Sequence, residues 1–548
     1  MLTQNNIIQF LKREGDLGFW RAIFFIAVLS GIANSGLLAI INIATSTVEN
    51  EGLNYQFFSM FIVVFLIFII TKKYSMVKSS QEVERIIKNT RDRISNKIRF
   101  CELHTIETLD KTMILTRLTR DTNAISQAAR ILILRLQSII MIFFTLLYIL
   151  YLSVPIFMII LLFIILVSLN FATFKKELRE DRDEVNIVED QFFSSLNSMM
   201  NGFKELKMNS QKSEDIASQH AQFSYNLSNL KVDLSNKLTI NAMYMGNILY
   251  LILATIVFIM PHIEAESSTT IIQVTAAVLF IVGPFEATVN VIPLIAKTIL
   301  AIENISKIEE LLDDKTSNHY VFDEHTIKRF NNFKTITFKN IEYYYTNKEN
   351  EKVFGVGPID FTLNRGEIIF IIGGNGSGKS TFIKTLLRLY TQTKGEIELD
   401  SNIIDEYNTQ VYRDLFSIIL TDFYIFEQIY GNKNINYKLL NDLLVETQLN
   451  NKTKYIDGKF TTTNLSTGQK KRLALVIAIL EDKPILVLDE WAADQDPEFR
   501  KYFYETILMR LQQQGKTIIA VTHDDAYFKF SDKVFKMDSG QLVPYIAH

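Results

Sequence analysis

The chain has 548 residues, 48% hydrophobic and 21% charged, with a net charge of −3 and a mean hydropathy of +0.13. Positive mean hydropathy over such a length points to a membrane protein, and the near-balanced charge offers no basic field for nucleic acid. The single cysteine, Cys101, excludes a disulfide scaffold, and Cys101 with His104 lacks the second ligand pair of a structural zinc site.

The N-terminal run through Trp20 places its charges after an apolar stretch. It reads as a short interfacial helix, not a cleavable signal peptide. Apolar stretches of spanning length follow at Ala22–Thr45, Phe57–Thr71, Ile133–Tyr151, Val154–Phe174, Asn241–Met260 and Ile271–Ile295. The loops after the first, third and fifth are short, whereas the segments after the second and fourth run to about sixty residues each. Both long segments read as charged helices, for example Lys72–Arg99 and Lys175–Asp190. Thirty helical residues reach about 45 Å past a bilayer, so two pairs of spans are expected to continue as long hairpins. The segment Lys72–Arg130 is rich in Lys and Arg, while Ser46–Gln56 and Pro261–Thr270 carry neither. The positive-inside rule then puts the long segments, both termini and the C-terminal domain in the cytoplasm.

Polar residues within spans are expensive unless they face a cavity or a partner helix. Here they are Asn34 and Asn42 in the first span, Tyr244 and Asn247 in the fifth, and Glu286 and Asn290 in the sixth. Glu286 and Asn290 share a helical face with Thr275. That face either lines a central cavity, with Glu286 meeting a cationic or hydrogen-bonding part of a cargo, or holds Glu286 at the interface, where it costs little.

A charged helical stretch, Lys297–Thr316, and a polar linker precede a region of short apolar runs punctuated by turns, the rhythm of an α/β domain. The expected division is a transmembrane domain over 1–316, a linker over 317–332 and a nucleotide-binding domain over 333–548. The last contains an apolar strand from Glu367 running into Gly373-Gly374-Asn375-Gly376-Ser377-Gly378-Lys379-Ser380-Thr381. This is the phosphate-cradling strand–loop–helix, with backbone N–H groups turned toward phosphates, Lys379 reaching β- and γ-oxygens and Ser380 a Mg²⁺ ligand. A second apolar strand, Ile485–Leu488, ends in Asp489-Glu490, an acid for the metal and a base for the attacking water.

Leu465-Ser466-Thr467-Gly468-Gln469 resembles the LSGGQ signature of ATP-binding-cassette ATPases, and with six spans and long hairpins the whole chain resembles an exporter-type half-transporter. The fold this implies is an all-α membrane domain of six helices with long cytoplasmic hairpins, fused to an α/β P-loop cassette. The resemblance makes Tyr345 the adenine-stacking aromatic, with Tyr343 and Tyr344 as alternatives, and His523 the switch histidine at the γ-phosphate. It puts Asp496 in the loop that crosses to the other cassette, and has Ser466, Gly468 and Gln469 close over a nucleotide held by a second copy. One cassette per chain then implies a dimer, and a homodimer would have two competent sites. Lys111–Asp121 and Gly202–Asn209 resemble the short coupling helices at the hairpin tips.

The family's glutamine after the middle strand aligns with Thr421. Thr421, through a metal-bound water, and Asp422, as a ligand, are alternative replacements. The segment Gly458–Asn464 lacks the acidic loop common in multidrug exporters. LSTGQKKRLAL, LDEWAADQDPEFR and THDDAYF resemble the bacterial exporters of cyclic peptides and peptide siderophores, the pyoverdine, syringomycin and lasso-microcin type.

The resulting expectation is an ATP- and Mg²⁺-dependent homodimer in the bacterial inner membrane, multi-pass with both termini cytoplasmic. It would export a peptide-type cargo, with room for a periplasmic partner and no nucleic acid. The alternatives are a lipid or multidrug exporter of the same fold and a cassette-bearing membrane sensor. No peptidase domain is expected ahead of the first span.

Overall fold

The computed structural model describes residues 17–51, 55–109, 114–115, 117–263, 268–289, 291–313, 330–346, 351–432 and 434–545. The chain forms two compact units, residues 1–95 with 112–310, and residues 96–111 with 311–548.

The first unit is helical. Its helices cover Leu17–Glu51, Tyr55–Phe100 (to Ser95 within this unit), Thr122–Leu152, Val154–Asn201, Ser210–Ala254, Ser268–Val289 and Ile292–Asp313 (to Glu310 within this unit). Among the described residues, five helical stretches are long and apolar enough to cross a membrane: Arg21–Thr45, and parts of Tyr55–Phe100, Arg117–Leu152, Ser210–His262 and Ser268–Thr288. The shorter apolar run Val154–Leu166 heads a helix of 48 residues. At 1.5 Å per residue such a helix is about 72 Å long, more than twice a ~30 Å hydrocarbon layer. Ser153 starts it by capping, its Oγ accepting from Ile156 N at 3.5 Å, with Pro155 in the first turn where no N–H is needed. The core gathers Leu38, Ile149, Ile156, Leu249, Ile252, Ile256, Val274 and Val278 from five helical segments. Ile67, Ile70, Leu162 and Phe258 face outward, as lipid-facing residues do.

A short helix covers Phe203–Met208 at a hairpin tip, with Gly202 before it and Asn209 after it. On the other long segment the expected stretch Lys111–Asp121 lies partly outside the described residues, at 111–113 and 116. A short helix lies at Leu103–Thr108, and Arg117–Asp121 is a π-helical turn leading into Thr122–Leu152. Glu102 and Leu109 flank the short helix in extended conformations, and Leu103 packs on the core of the second unit. Nothing in the charge pattern marks that anchor.

The second unit is the α/β cassette. β1 (Thr335–Thr346), β2 (Lys352–Asn364), β4 (Lys394–Leu399) and β5 (Asn402–Ile403) make an antiparallel sheet ordered β2-β1-β4-β5. A six-stranded sheet is ordered β12-β11-β3-β10-β9-β6, from β3 (Ile368–Ile372), β6 (Phe416–Ile419), β9 (Ile485–Asp489), β10 (Thr517–Val521), β11 (Lys533–Asp538) and β12 (Gln541–Pro544). Its β11-β3-β10-β9-β6 section is parallel. The short pair β7 (Tyr455–Ile456) and β8 (Lys459–Phe460) completes the strands. β9 and β10 are buried along their whole length, which is why their sequences are continuous apolar runs. Parallel register puts the C-terminal ends of β3, β9 and β10 side by side, the edge where ligands sit in open α/β sheets.

Candidate functional site

The loop after β3 opens the site. Gly373 has φ +151° and Gly378 φ +106°, and a Cβ would stand 2.4 Å from Met537 O at the first and 2.8 Å from Val356 Cγ1 at the second. Both positions therefore exclude any side chain. Gly374, Asn375 and Gly376 form the exposed tip. Lys379, nearly inaccessible, folds back so that Nζ donates to Gly373 O at 2.8 Å and Gly374 O at 3.1 Å. It begins the helix Lys379–Leu386, whose N-terminus faces the loop.

The end of β9 faces this loop. Ser380 Oγ donates to Asp489 Oδ2 at 3.2 Å and Thr421 Oγ1 donates to the same oxygen at 3.0 Å. Asp489 Oδ1 and Ser377 Oγ are buried without a protein partner. Burial raises the Asp489 carboxyl above the usual carboxylate range. The Thr421 and Ser380 hydroxyls oppose this, the Glu490 charge reinforces it, and the Lys379 ammonium opposes it without reversing it. Glu490 sits at φ +50°, with Oε1 3.7 Å from Lys379 Nζ and 3.3 Å from His523 Nε2. Lys379, Ser380, Asp489, Glu490, His523 and Thr421 thus meet at one strand edge. Asp422 is exposed and does not join them.

Ser466 and Gln469 form a capping box on the helix Thr467–Leu480: Ser466 Oγ accepts from Gln469 N at 3.4 Å, and Gln469 Oε1 accepts from Ser466 N at 3.2 Å. Gly468 permits a close approach, since a Cβ there would stand 2.6 Å from Asp494 O. Gln495 Nε2 donates to Gly468 O at 3.2 Å. The Asp496 carboxylate is engaged within its own chain. It accepts from Phe499 N at 2.9 Å as a helix cap and pairs with Arg472, and the Phe499 bond is the main cause holding its carboxyl below the usual range.

Tyr345 Oη is 3.5 Å from Thr381 Oγ1, and the Tyr345 ring meets Tyr343 and Tyr390 edge-on at 5.3 and 5.8 Å. Tyr343 is buried and stacked on Tyr390 at 4.8 Å, while Tyr344 lies under Lys352 Nζ at 3.7 Å. Of the three, Tyr345 is the one that reaches the phosphate-loop helix.

Residues 356–493 match the ABC transporter family. A solved bacterial Atm1-family ABC exporter with ATP bound shares the fold at a TM-score of 0.77, over 96% of this chain and 95% of that one, at 16% identity. The ATP-binding protein SyrD of Pseudomonas syringae pv. syringae is 30% identical over 529 residues, 94% of this chain and 92% of its own. The chain belongs to the ABC transporter family, as an exporter-type half-transporter. An ATP-dependent lipid A-core flippase of Wigglesworthia glossinidia brevipalpis is also similar, 25% identical over 404 residues, 70% of this chain and 65% of that one. The cassette of this exporter is an ATPase coupled to transport, carried on a membrane domain of apolar helices.

Within the exporter's membrane domain the polar residues divide. Asn34 Nδ2 donates to Met141 Sδ at 2.9 Å, and Asn42 Nδ2 to Gln273 O at 3.1 Å, both across helices. Thr275 Oγ1 donates within its own helix to Ile271 O at 2.7 Å. Tyr244, Asn247 and Glu286 are exposed. Glu286 Oε1 lies 3.2 Å from where a Cβ on Gly246 would stand, so it rests on the glycine face of the fifth span. Asn290 lies outside the described residues.

Sequence reading missed two features of the cassette unit. Glu107 accepts from Lys384 Nζ at 2.7 Å and from Tyr390 Oη. Burial raises its carboxyl, but those hydrogen bonds together with the charges of Lys384 and His104 outweigh burial and hold it below the usual range. The other is Lys471, whose only sequence signal is a lysine one turn into the signature helix. Its ammonium is buried against the backbone of Glu490.

Proposed function

We propose that this half-transporter pairs with a second copy and uses ATP with Mg²⁺ to export a peptide-type cargo, cyclic or modified, from the cytoplasm across a bacterial inner membrane, with both termini cytoplasmic. The observation that carries the peptide assignment is the string Asp489-Glu490-Trp491-Ala-Ala-Asp494-Gln495-Asp496-Pro497 with Thr522-His523-Asp524-Asp525. It resembles cyclic-peptide and siderophore-peptide exporters. The near-complete overlap with SyrD is compatible with that reading.

The residues fit a magnesium ion. The donors are hard oxygens, Ser380 Oγ and the Asp489 carboxylate with its unpartnered Oδ1, with Thr421 Oγ1 beside them. Among the described residues no cluster of His, Cys, Asp and Glu could hold a metal alone. The ion would therefore share phosphate oxygens, as Mg²⁺ usually does. Bound there, it would neutralise charge developing on the phosphates.

Glu490 is the base: it takes a proton as water oxygen attacks the γ-phosphorus and the bond to the β-phosphate oxygen breaks, releasing ADP and phosphate. His523, within reach of Glu490 Oε1, orients the carboxylate and meets the γ-phosphate. Lys379 leaves the loop carbonyls for β- and γ-oxygens. Tyr345 stacks on adenine. Thr421 takes the place of the family's metal-sensing glutamine, and Asp422 does not. Ser466, Gly468 and Gln469 of one copy cover the nucleotide of the other. Phe203–Met208 and Leu103–Thr108 transmit the closure, and Tyr244, Asn247 and Glu286 face the cargo path.

Mass spectrometry of cells and medium, parent against Glu490→Gln, tests the reading. A peptide that accumulates in mutant cells and is missing from their medium is the expected result. A lipid shifted instead would favour the second reading, which the similarity to a lipid A-core flippase supports.

A further inference from the structure

We infer that Lys471 is a positioning residue of the hydrolytic site, holding Glu490 in its active orientation through the backbone rather than through the carboxylate. The inference rests on the assignment of Glu490 as base.

Glu490 has φ +50° and ψ +36°, a left-handed conformation that a non-glycine residue keeps only when its surroundings enforce it. The direction of its side chain follows from that backbone. At left-handed angles Oε1 lies 3.3 Å from His523 Nε2 and 3.7 Å from Lys379 Nζ, whereas relaxation to the right-handed region would swing the Cα–Cβ bond away from both. Three bonds enforce the observed form. The Glu490 N–H donates to Val521 O at 3.2 Å, tying it to β10. The Glu490 carbonyl accepts from Lys471 Nζ at 2.6 Å. On the next residue, Trp491 Nε1 donates to Lys471 O at 2.7 Å, so one lysine grips both sides of the turn.

Lys471 is suited to this and to little else. It is 3% exposed, and a buried ammonium needs a compensating charge. Asp494 supplies it, with Oδ2 2.7 Å from Nζ. The charged donor makes the bond to the Glu490 carbonyl stronger than a neutral donor would. No described contact places Lys471 on the phosphate loop, so its action is on geometry.

The test uses the full chain in lipid nanodiscs. Lys471→Met keeps volume and removes the donor. It should lower kcat for ATP roughly ten- to a hundredfold, the scale of an ångström-level misplacement, while the affinity for a fluorescent ATP analogue stays within about twofold. Lys471→Arg, which keeps a charged donor, should recover kcat to within about fivefold of the parent. A parent-like kcat in Lys471→Met overturns the inference. So does a loss shared equally by Met and Arg variants with KM raised and melting temperature lowered in parallel, since that is a packing effect. If Lys471→Met fails to fold, Asp494→Asn replaces it. Its side chain is 46% exposed, and loss of the countercharge should lower kcat about threefold with affinity kept; an unchanged kcat there overturns the inference. Glu490→Gln run alongside separates the two failures. Retained hydrolysis in it removes the base assignment, whereas a dead Glu490→Gln beside a parent-like Lys471→Met removes this inference alone.

Discussion

Asp489 in the cassette and Asn42 in the membrane domain are both nearly inaccessible, at 2% and 6% exposure, yet they are bonded in opposite ways. The Asn42 amide donates to Gln273 O at 3.1 Å. Ser35 likewise joins Met141 O at 3.1 Å and Thr145 Oγ1 at 3.3 Å. These groups replace lost water with a partner helix, as the low dielectric of lipid demands. Around Asp489, two hydroxyls crowd one oxygen while the other has no protein partner, and the neighbouring Ser377 Oγ has none either. Burying polar atoms without partners is unfavourable, and the cassette tolerates it where phosphate and metal would complete the bonds. The membrane domain uses buried polarity to fix helix pairs; the cassette gathers it at the strand edge proposed to hold phosphate and metal.

The largest expected effect comes from Asp489→Asn. ATP hydrolysis should fall by on the order of a hundredfold or more with loss of the proposed metal site. The same change should stabilise the nucleotide-free protein at neutral pH. Because the folded carboxyl is raised above its ordinary 3.8, its contribution to stability is fully present below that value and is lost as pH rises through the folded pKa. Removing the charge should raise the melting temperature at neutral pH by roughly 2–4 °C per kcal/mol recovered and flatten the pH dependence. A lowered melting temperature would show that Asp489 holds the apo fold.

A smaller effect separates Thr421 from Asp422. Thr421→Val should reduce hydrolysis about three- to tenfold, the loss of one hydrogen bond of about 1 kcal/mol, while Asp422→Asn stays within twofold. Steady-state kinetics across Mg²⁺ concentrations checks this. The reverse order would mean that Asp422 turns inward when ATP binds.

Next comes the Glu107 contact with Lys384 and Tyr390. Its carboxyl is held below the ordinary 4.5, so the stabilisation is present above that value and disappears as pH falls through the lower, folded pKa. Glu107→Gln should raise hydrogen exchange in Leu103–Thr108 roughly fivefold at neutral pH, the factor for about 1 kcal/mol, and abolish the acid-side change. Unaltered exchange would mean that Leu103 packing alone holds the helix. The smallest effect is Asn42→Ala, expected to destabilise the membrane domain by about 0.6 kcal/mol, the average for interhelical hydrogen bonds. Denaturation in mixed micelles measures it, and a loss of cargo-stimulated hydrolysis without destabilisation would place Asn42 in the cargo path instead.

The same contrast explains what could be read from sequence. Phosphate loop, acidic pair and the Thr522-His523 pair follow continuous apolar strands, so Lys379, Asp489, Glu490 and His523 can be picked out locally. The choice between Thr421 and Asp422 depends on which side chain turns toward Asp489 after β6, and spacing alone does not contain that. The short helix at Leu103–Thr108 packs through Leu103 on residues far along the chain, and the charge pattern does not show that contact. The partners of Asn34 and Asn42 lie 107 and 231 residues away, and the sequence shows the polar residue without showing what satisfies it. Lys471 reads as one more solvated lysine beside Lys470 and Arg472 until the fold buries it.

The most direct test of the central claim is hydrolysis by purified Glu490→Gln with Mg²⁺-ATP in nanodiscs, followed together with the nucleotide retained on the protein. Loss of turnover by at least roughly a hundredfold, with ATP still bound at two per pair of chains, is the predicted result. Turnover within about threefold of the parent would contradict the account, because another group would then be taking the proton from water.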